Sequence, residues 1–459
     1  MLVTKIRAKE IRTMTHDLTT GKPLRDIWQF AVPVLFGLLL QQVYSLVDTA
    51  IVGHALGVMA LGGVGATGSV NFLVIGFCGG LCTGMAIPLA QAFGAGDYRQ
   101  LRRYVAGCVW LGIAMSALLL ALTLPTTQAL LKLMGTPEEQ MGYAYDYIFI
   151  IFIGIPATIL YNMGACVLRS LGDSKSPVWF LAIASVINIV LDLLTVCVLG
   201  MGVAGAGVAT VISQGVSVAL CILYVFRSAR LLLPEKKHFH VESRLYWELF
   251  SQSISMGLMS SIVSAGSVVL QYGINGLGTL TIAGHTAARK LFAFTDMPLI
   301  SMANAGSTFV SQNRGANQPD RVRRGMRQMY LYSVVVMVAA VVLMNFGAQW
   351  MVQLISGSSE PIVLENGARY LLWNAPFYAV LGVLLCTRYA LQSLGQKVLP
   401  LFSSVIELVG KVIFVLVFIP RYAYNAVILC EPIIWCFMAA YLVAVYRRDA
   451  FVYPRKKTI

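Results

Sequence analysis

Two carboxylates and an amide stand inside long apolar segments of this chain. Asp48 follows an uncharged run from Ile27 to Val47, about 20 residues, which is the length that spans the core of a bilayer. Asn188 and Asp192 are four residues apart in another apolar run, so they share one face of a helix. A carboxylate at the centre of a membrane helix costs about 2.5 to 3.5 kcal/mol and usually marks an ion or substrate path. Asp48 therefore needs partners from elsewhere in the chain.

These side chains, with Thr210 on the next apolar segment, predict a site for a small cation or a shared proton. Carboxylate, amide and hydroxyl oxygens are hard donors, and two close carboxylates in a low dielectric cannot both be ionised cheaply. Sodium and protons use the same oxygens, so the coupling ion stays open, and no other cofactor is predicted. Two alternatives also stay open: Thr210 could serve helix packing, and Asp48 would lie in the headgroup layer if its helix ended near residue 47.

The composition is that of a polytopic membrane protein. Of 459 residues, 58% are hydrophobic and 12% charged, against roughly 45–50% and 25% in soluble domains. The apolar runs are long enough to span as helices and lack the alternation of barrel strands, which predicts an all-α membrane protein. The twelve predicted transmembrane helices lie at about 27–50, 60–92, 105–125, 143–168, 178–200, 205–226, 246–273, 279–310, 329–352, 366–390, 399–420 and 424–446. Residues 1–26 lack the features of a signal peptide, so the first helix is expected to be retained.

An internal repeat divides the chain into two halves. Residues 87–103 align with residues 308–324 at an offset of 221, and Ser170-Leu171-Gly172 aligns with Ser393-Leu394-Gly395 at an offset of 223. Six helices in each half make the halves parallel repeats with a cavity between them. The predicted organisation is a cytoplasmic tail (1–26), a six-helix lobe (27–227), a linker (228–244), a second six-helix lobe (245–446) and a cytoplasmic tail (447–459).

The positive charges predict the orientation. The chain has 34 Lys and Arg residues and a net charge of +14, and 28 of these residues fall in the segments that would be cytoplasmic if both termini were inside. The positive-inside rule therefore places both termini in the cytoplasm. The charge is explained by topology and attraction to anionic lipid rather than by nucleic-acid binding. The nine cysteines all lie in apolar runs and form no CxxC pair, so a metal site is not predicted.

The acidic cluster has no counterpart in the second half, where other charges occur. Glu407 and Lys411 stand one helical turn apart and can neutralise each other, which indicates a structural pair. Arg289, Lys290 and Asp296 lie within the eighth helix and are expected to face the cavity, with Asp296 as a second, weaker acid. Their role is left open by the sequence.

Pro33 is a predicted weak point of the first helix. It removes one backbone hydrogen bond and clashes with the preceding turn, and it lies 15 residues before Asp48. We expect the helix to bend near Pro33, and ion occupancy at Asp48 and Asp192 to change that bend.

The twelve spans, the six-plus-six repeat, the stretch from Pro33 to Ala50, the Gly-Ala-Gly-Asp loop at 94–97 and the Asn188/Asp192 pair together resemble the multidrug and toxic compound extrusion (MATE) family over about residues 20–448. Additional acids in the seventh and tenth helices are typical of the NorM-like branch and are missing here, so the chain is similar to the DinF-like branch. The resemblance implies a V-shaped pair of bundles that exports cationic or amphipathic compounds against an inward flow of protons or sodium ions.

The resemblance also implies roles for particular residues. Asp48, Asn188, Asp192 and Thr210 match the proton or sodium site of the DinF-like branch, and Tyr147 and Asn162 match positions that line the same lobe. Aromatic and methionine side chains would suit apolar cations as cavity walls, although ordinary packing is the alternative for them. The full set predicted for this cavity is Gln42, Tyr44, Tyr147, Asn162 and Met163.

The competing interpretation is a flippase for lipid-linked precursors or polysaccharides from the same superfamily, for which a strongly cationic cavity is expected. Arg289 and Lys290 leave room for it. An ATP-driven pump is disfavoured because the chain has no GxxxxGK[ST] loop, and the scattered histidines do not indicate an enzyme. The sequence thus predicts a monomeric efflux transporter for drug-like molecules in a bacterial plasma membrane.

Overall fold

The computed structural model describes residues 17–133, 135–240 and 242–454, and over these ranges its regular structure is helical, without a β-strand. A helix satisfies its backbone hydrogen bonds internally, which lipid cannot do, so long apolar runs become helices. The α-helices are α1 (Pro23–Ala66), α2 (Gly68–Gly94), α3 (Tyr98–Leu133), α4 (Glu138–Ile153), α5 (Ile155–Ser170), α6 (Lys175–Asp192), α7 (Gly202–Arg227), α8 (Ser243–Asn275), α9 (Thr279–Thr295), α10 (Met297–Gly315), α11 (Pro319–Ser356), α12 (Pro361–Asn374), α13 (Tyr378–Ser393), α14 (Val398–Ile413), α15 (Ile419–Tyr422) and α16 (Tyr424–Arg447). The all-α prediction is confirmed.

The helices account for the twelve predicted spans. Within the described residues, ten helical segments are long and apolar enough to cross a membrane, and α4 with α5, bent by 49°, makes an eleventh. The remaining predicted span, 279–310, corresponds to α9 and α10, which carry the charged residues Arg289 and Lys290 and are separated at Asp296. This segment is more polar than the others because it contains these charges.

The first helix extends further than the sequence indicated. The prediction ended it near residue 50, and one alternative ended it near residue 47, but α1 stays helical past Asp48 and is interrupted first at Gly57, with φ of 81°. The alternative that the helix ends just before Asp48 is therefore wrong. Pro33 lies inside α1, and the bend expected there stays a prediction.

The repeated sequence motifs coincide with left-handed turns between helices. Gly172 and Gly395, the last residues of the two Ser-Leu-Gly motifs, have φ of 89° and 90°. Gly96, after α2, has φ of 70°, and its repeat partner Asn317 has φ of 55°. Glycine adopts this region without strain and asparagine tolerates it better than most residues. The motifs recur because both halves need the same chain reversals.

Contacts group the described chain into two compact units. The first contains the residues before Thr19 and Phe36–Ser261, and the second contains Thr19–Leu35 and Ile262–Ile459. These units are defined by contacts and the predicted lobes by the sequence repeat, so the boundaries 27–227 and 245–446 stay a prediction.

In the first unit, α2 packs against α5, α6 against α7, and α4 against α7. Close approach to α8 depends on Gly80 and Gly84, one turn apart on α2. A Cβ at either position would stand 2.6 Å from a backbone oxygen of α8, that of Met256 or Gln252. Small residues at this spacing are a common basis of helix packing in membranes.

In the second unit, α10 packs against α13, α9 against α12, and α11 against α13. The beginning of α1 belongs to this unit and is held there by an ion pair of 2.6 Å between Asp26 and Arg321 and by edge-to-face contact of Trp28 with Tyr332.

The linker 228–244 is mostly short 3₁₀ turns and is attached to the start of α3. Arg102 pairs with Glu235 at 3.2 Å and Arg103 with Glu242 at 2.9 Å. The predicted tails fall partly outside the described residues, which exclude 1–16 and 455–459.

One of the charges counted as cytoplasmic is misplaced by the sequence analysis. Arg388 lies in α13, is 4% exposed and contacts Glu407, so it is not a loop charge. The bias of the other counted charges does not depend on it.

Candidate functional site

One face of α1 lines a cavity of about 180 Å³ in the first unit. The lining residues of this helix are Gln41, Tyr44, Ser45 and Asp48, and their spacing of three and four residues places them on one side of a helix. The helix delivers Asp48 to the cavity because it continues past that residue. The prediction that Asp48 faces a polar interior agrees with this position.

Helix α6 brings the amide and the second carboxylate to the same place. Asn188 lines the cavity, and Asn188 and Asp192 are 2% and 0% exposed. Asp192 is the last residue of α6 before a π-helical segment, Leu193–Val198; such wider turns are frequent at functional sites. The carboxyl groups of Asp48 and Asp192 are near enough to share a hydrogen bond.

The buried polar atoms of this pair find no other donor within the described chain. Oδ1 of Asp48, both carboxylate oxygens of Asp192 and both polar atoms of the Asn188 amide are buried without a hydrogen-bond partner among the described residues. Buried polar groups are almost always partnered. A hydrogen bond between two carboxyl groups requires that one carries a proton, and a small cation between them would serve the same oxygens. The site therefore has the chemistry to exchange a proton or a cation.

The other predicted residues divide into those at the cavity and those elsewhere. Tyr44, Tyr147, Asn162 and Thr210 line it with the acids. The Thr210 hydroxyl donates to the backbone oxygen of Ala206 at 3.0 Å, so its remaining lone pairs face the cavity's polar groups.

Two residues predicted at the cavity are not among its lining residues. Gln42 is one position out of phase with the face of α1 that lines it, where Gln41 lies instead. Met163 is 8% exposed and packs against Gly112 in the core of the unit, because its helix turns that side chain toward α3 rather than the cavity.

Several polar lining residues were not predicted. Thr210, Ser213, Gln214 and Ser217 form a stripe at helical spacing along α7, a signal that the sequence contained. The Thr158 hydroxyl donates to Gln214 at 2.7 Å, which fixes the amide at the wall. The other unpredicted polar lining residues are Ser45, Asn71, Tyr161 and Ser185.

The second unit holds a network of buried charges centred on Glu431, which the sequence analysis did not identify. Arg289 donates to both carboxylate oxygens of Glu431, at 3.2 and 2.9 Å, and the Tyr370 hydroxyl donates to one of them at 2.6 Å. Asp296 lies within electrostatic range of Arg289 and Glu431, whereas Lys290 is exposed. Arg289 and Asp296 thus belong to one network and Lys290 points away from it.

The predicted pair of Glu407 and Lys411 is also part of this network. Lys411 Nζ donates to Glu407 at 2.9 Å and lies 3.8 Å from Glu431, and Arg388 lies 3.6 Å from Glu407. The local pairing of Glu407 with Lys411 is as the spacing indicated. Across the described residues, no three His, Cys, Asp or Glu side chains assemble as a metal site.

Comparisons with known proteins agree on the family. A family model described as MatE matches residues 33–194 and again residues 256–417. The chain is 29% identical over 372 residues to the probable multidrug resistance protein YpnP of Bacillus subtilis, covering 80% of this chain and 82% of that protein. It is 25% identical over 407 residues to a protein named FAD transporter from Shewanella oneidensis, covering 87% and 88%.

A solved structure supports the same fold. It shows a multidrug resistance MATE family transporter of the MOP superfamily in an outward-facing conformation, with a TM-score of 0.88 and 21% identity. The match covers 95% of this chain and 98% of that one. The two matches to the family model begin 223 residues apart, which is one of the offsets found in the internal repeat.

Proposed function

The chain belongs to the MatE family of multidrug and toxic compound extrusion transporters, and on this premise we propose that it exports cationic or amphipathic small molecules in exchange for protons or sodium ions. It is a multi-pass membrane transporter and not an enzyme. The observation that carries the exchange mechanism is the pairing of Asp48 with Asp192 at a cavity wall, with buried carboxylate oxygens that lack other partners.

The size of the cavity supports an ionic rather than a drug-binding role for this site. Its volume of about 180 Å³ lies below the roughly 300–1,000 Å³ of drug-sized pockets. At about 30 Å³ for each water molecule, it has room for roughly six waters or a hydrated ion. The first unit therefore offers the coupling ion a polar route to Asp48, while the transported molecule needs a larger space or another conformation.

The buried charges of the second unit argue against the flippase alternative. A cavity for anionic lipid-linked substrates needs uncompensated positive charge. Arg289 is held by Glu431 and Lys411 by Glu407, so these cations are neutralised within the protein. The proposed substrate class is accordingly cationic or neutral and amphipathic, and we propose that the transporter works as a monomer.

Transport by purified protein in liposomes tests the function. Uptake of a cationic dye is expected to follow an imposed proton gradient at equal sodium, or an imposed sodium gradient at equal pH, and to stop when that gradient is dissipated. FAD serves as the second substrate, because a relative carries that name. Dye movement at one rate with and without either gradient would disprove the exchange mechanism, and gradient-driven movement of FAD alone would disprove the substrate class.

We further propose that both termini are cytoplasmic in a bacterial plasma membrane. Single cysteines in a cysteine-free protein at positions 99, 236 and 321 should react with an impermeant maleimide only from the cytoplasmic side. Cysteines at 133 and 358 should react only from outside, because the basic segments stay on the cytoplasmic side. Labelling of position 236 from outside would reverse the orientation and the direction of export.

A further inference from the structure

The carboxylates of the second unit are saturated by protein cations, in contrast to the pair in the first unit. Lys411 Nζ lies between two acids, 2.9 Å from Glu407 and 3.8 Å from Glu431. Glu407 also has Arg388, and Glu431 also has Arg289. Each of the four carboxylate oxygens thus contacts a cationic nitrogen of the same unit. A mobile cation would find none of them available.

Lys411 stands at the repeat position of a residue in the candidate ion site. The two matches to the family model are offset by 223 residues, which pairs Asn188 with Lys411. The local structure supports this pairing, because α6 and α14 both run into π-helical segments, Leu193–Val198 and Phe414–Phe418. One half therefore presents an amide beside unpartnered carboxylates, and the other half presents an ammonium group.

The protein has a built place for this lysine. Lys411 is 2% exposed, and its stem passes close to Gly266 of α8, where a Cβ would stand 3.1 Å from the lysine Cδ. A larger residue at 266 would press on the side chain that carries the ammonium group between the two acids. The position of Lys411 is thus fixed by packing as well as by charge.

We propose that Lys411 is a resident cation, which fills the second unit's equivalent of the coupling site and leaves the transporter with one exchangeable cation site. Three acids, Glu407, Glu431 and Asp296, face three bases, Lys411, Arg289 and Arg388. Removal of Lys411 leaves three carboxylates with two guanidinium groups, which creates a site for one external cation. The consequence of one coupling ion in each cycle rests on the proposed antiport, but the presence of the resident cation does not.

Chemical rescue in a background without the first site tests the proposal. The parent is Asp48→Asn/Asp192→Asn, and its thermal unfolding is compared in choline chloride and in methylammonium chloride at equal ionic strength. The parent should have the same midpoint in both salts. Adding Lys411→Ala should lower the midpoint in choline by on the order of 10 °C, because a buried acid loses its partner. Methylammonium should restore at least half of the loss, since it fits the space of the lysine end.

The control is Glu407→Gln/Lys411→Ala in the same parent, which removes one acid with the base and should show no response to methylammonium. Equal midpoints of the Lys411→Ala protein in both salts, rescue of the control, or stabilisation of the parent would each overturn the proposal. If Lys411→Ala does not fold in choline, folded protein from preparations kept in methylammonium supports the proposal, and none in either salt contradicts it. The parent lacks the proposed coupling acids, so these outcomes do not depend on antiport.

Discussion

Asp48→Asn and Asp192→Asn should each reduce gradient-driven export to the rate measured without a gradient. An asparagine cannot exchange a proton, and it offers a cation no negative charge. Loss of one charged partner in a buried site costs about 3–5 kcal/mol, which corresponds to a fall in cation affinity on the order of 100-fold or more. The measurement is dye uptake by proteoliposomes under a proton or a sodium gradient.

The folded state should survive both substitutions. The oxygens of Asp192 and one oxygen of Asp48 are buried without a donor, so neutralising either group removes a desolvation cost rather than a stabilising contact. We expect thermal midpoints at or above that of the wild type. Asp146→Asn is the matched control, because it makes the same change at an exposed acid of α4 in the same unit, and it should export normally.

The double variant distinguishes one shared site from two separate ones. If Asp48 and Asp192 act as a unit, Asp48→Asn/Asp192→Asn should export no worse than either single variant, because groups that act together are not additive. Wild-type export by both single variants would remove the pair from the mechanism. Loss of export only with Asp48→Asn would assign the exchange to that residue alone.

The convergence of Asp48, Asn188 and Asp192 could be predicted because a charge inside an apolar segment must find polar company. Spacing of four residues gave the common face of Asn188 and Asp192, and the positions in the structure agree with it. The error at Gln42 is one of helix phase. Positions three, four and seven residues before Asp48 are Ser45, Tyr44 and Gln41, and these three line the cavity.

Glu431 shows what local spacing cannot provide. It lies in the last apolar segment, and the groups that hold it are distant in the chain, Arg289 on α9 and Tyr370 on α12. No periodic pattern pairs residues across such separations. The rule applied to Asp48, that an isolated intramembrane acid needs a partner, applied equally to Glu431 and could have marked it as important without naming the partner.

Glu431→Gln should be among the most destabilising substitutions in the second unit. It leaves Arg289 and Lys411 in a buried network that has lost one of its acids, and removal of one partner from a buried ion pair costs about 3–5 kcal/mol. At roughly 2–4 °C for each kcal/mol in domains of 150–250 residues, the thermal midpoint should fall by on the order of 10 °C. The measurement is thermal unfolding of detergent-solubilised protein.

Arg289→Met/Glu431→Gln should recover much of that loss, because replacing both members of a buried pair is far less costly than replacing one. Glu365→Gln is the exposed control. Its carboxylate lies 3.9 Å from Arg369 and the side chain is 68% exposed, so the pair contributes about 1 kcal/mol or less and the midpoint should hardly change. If Glu431→Gln is as stable as Glu365→Gln, or if the double variant is as unstable as the single one, the ion pair with Arg289 does not hold the network together.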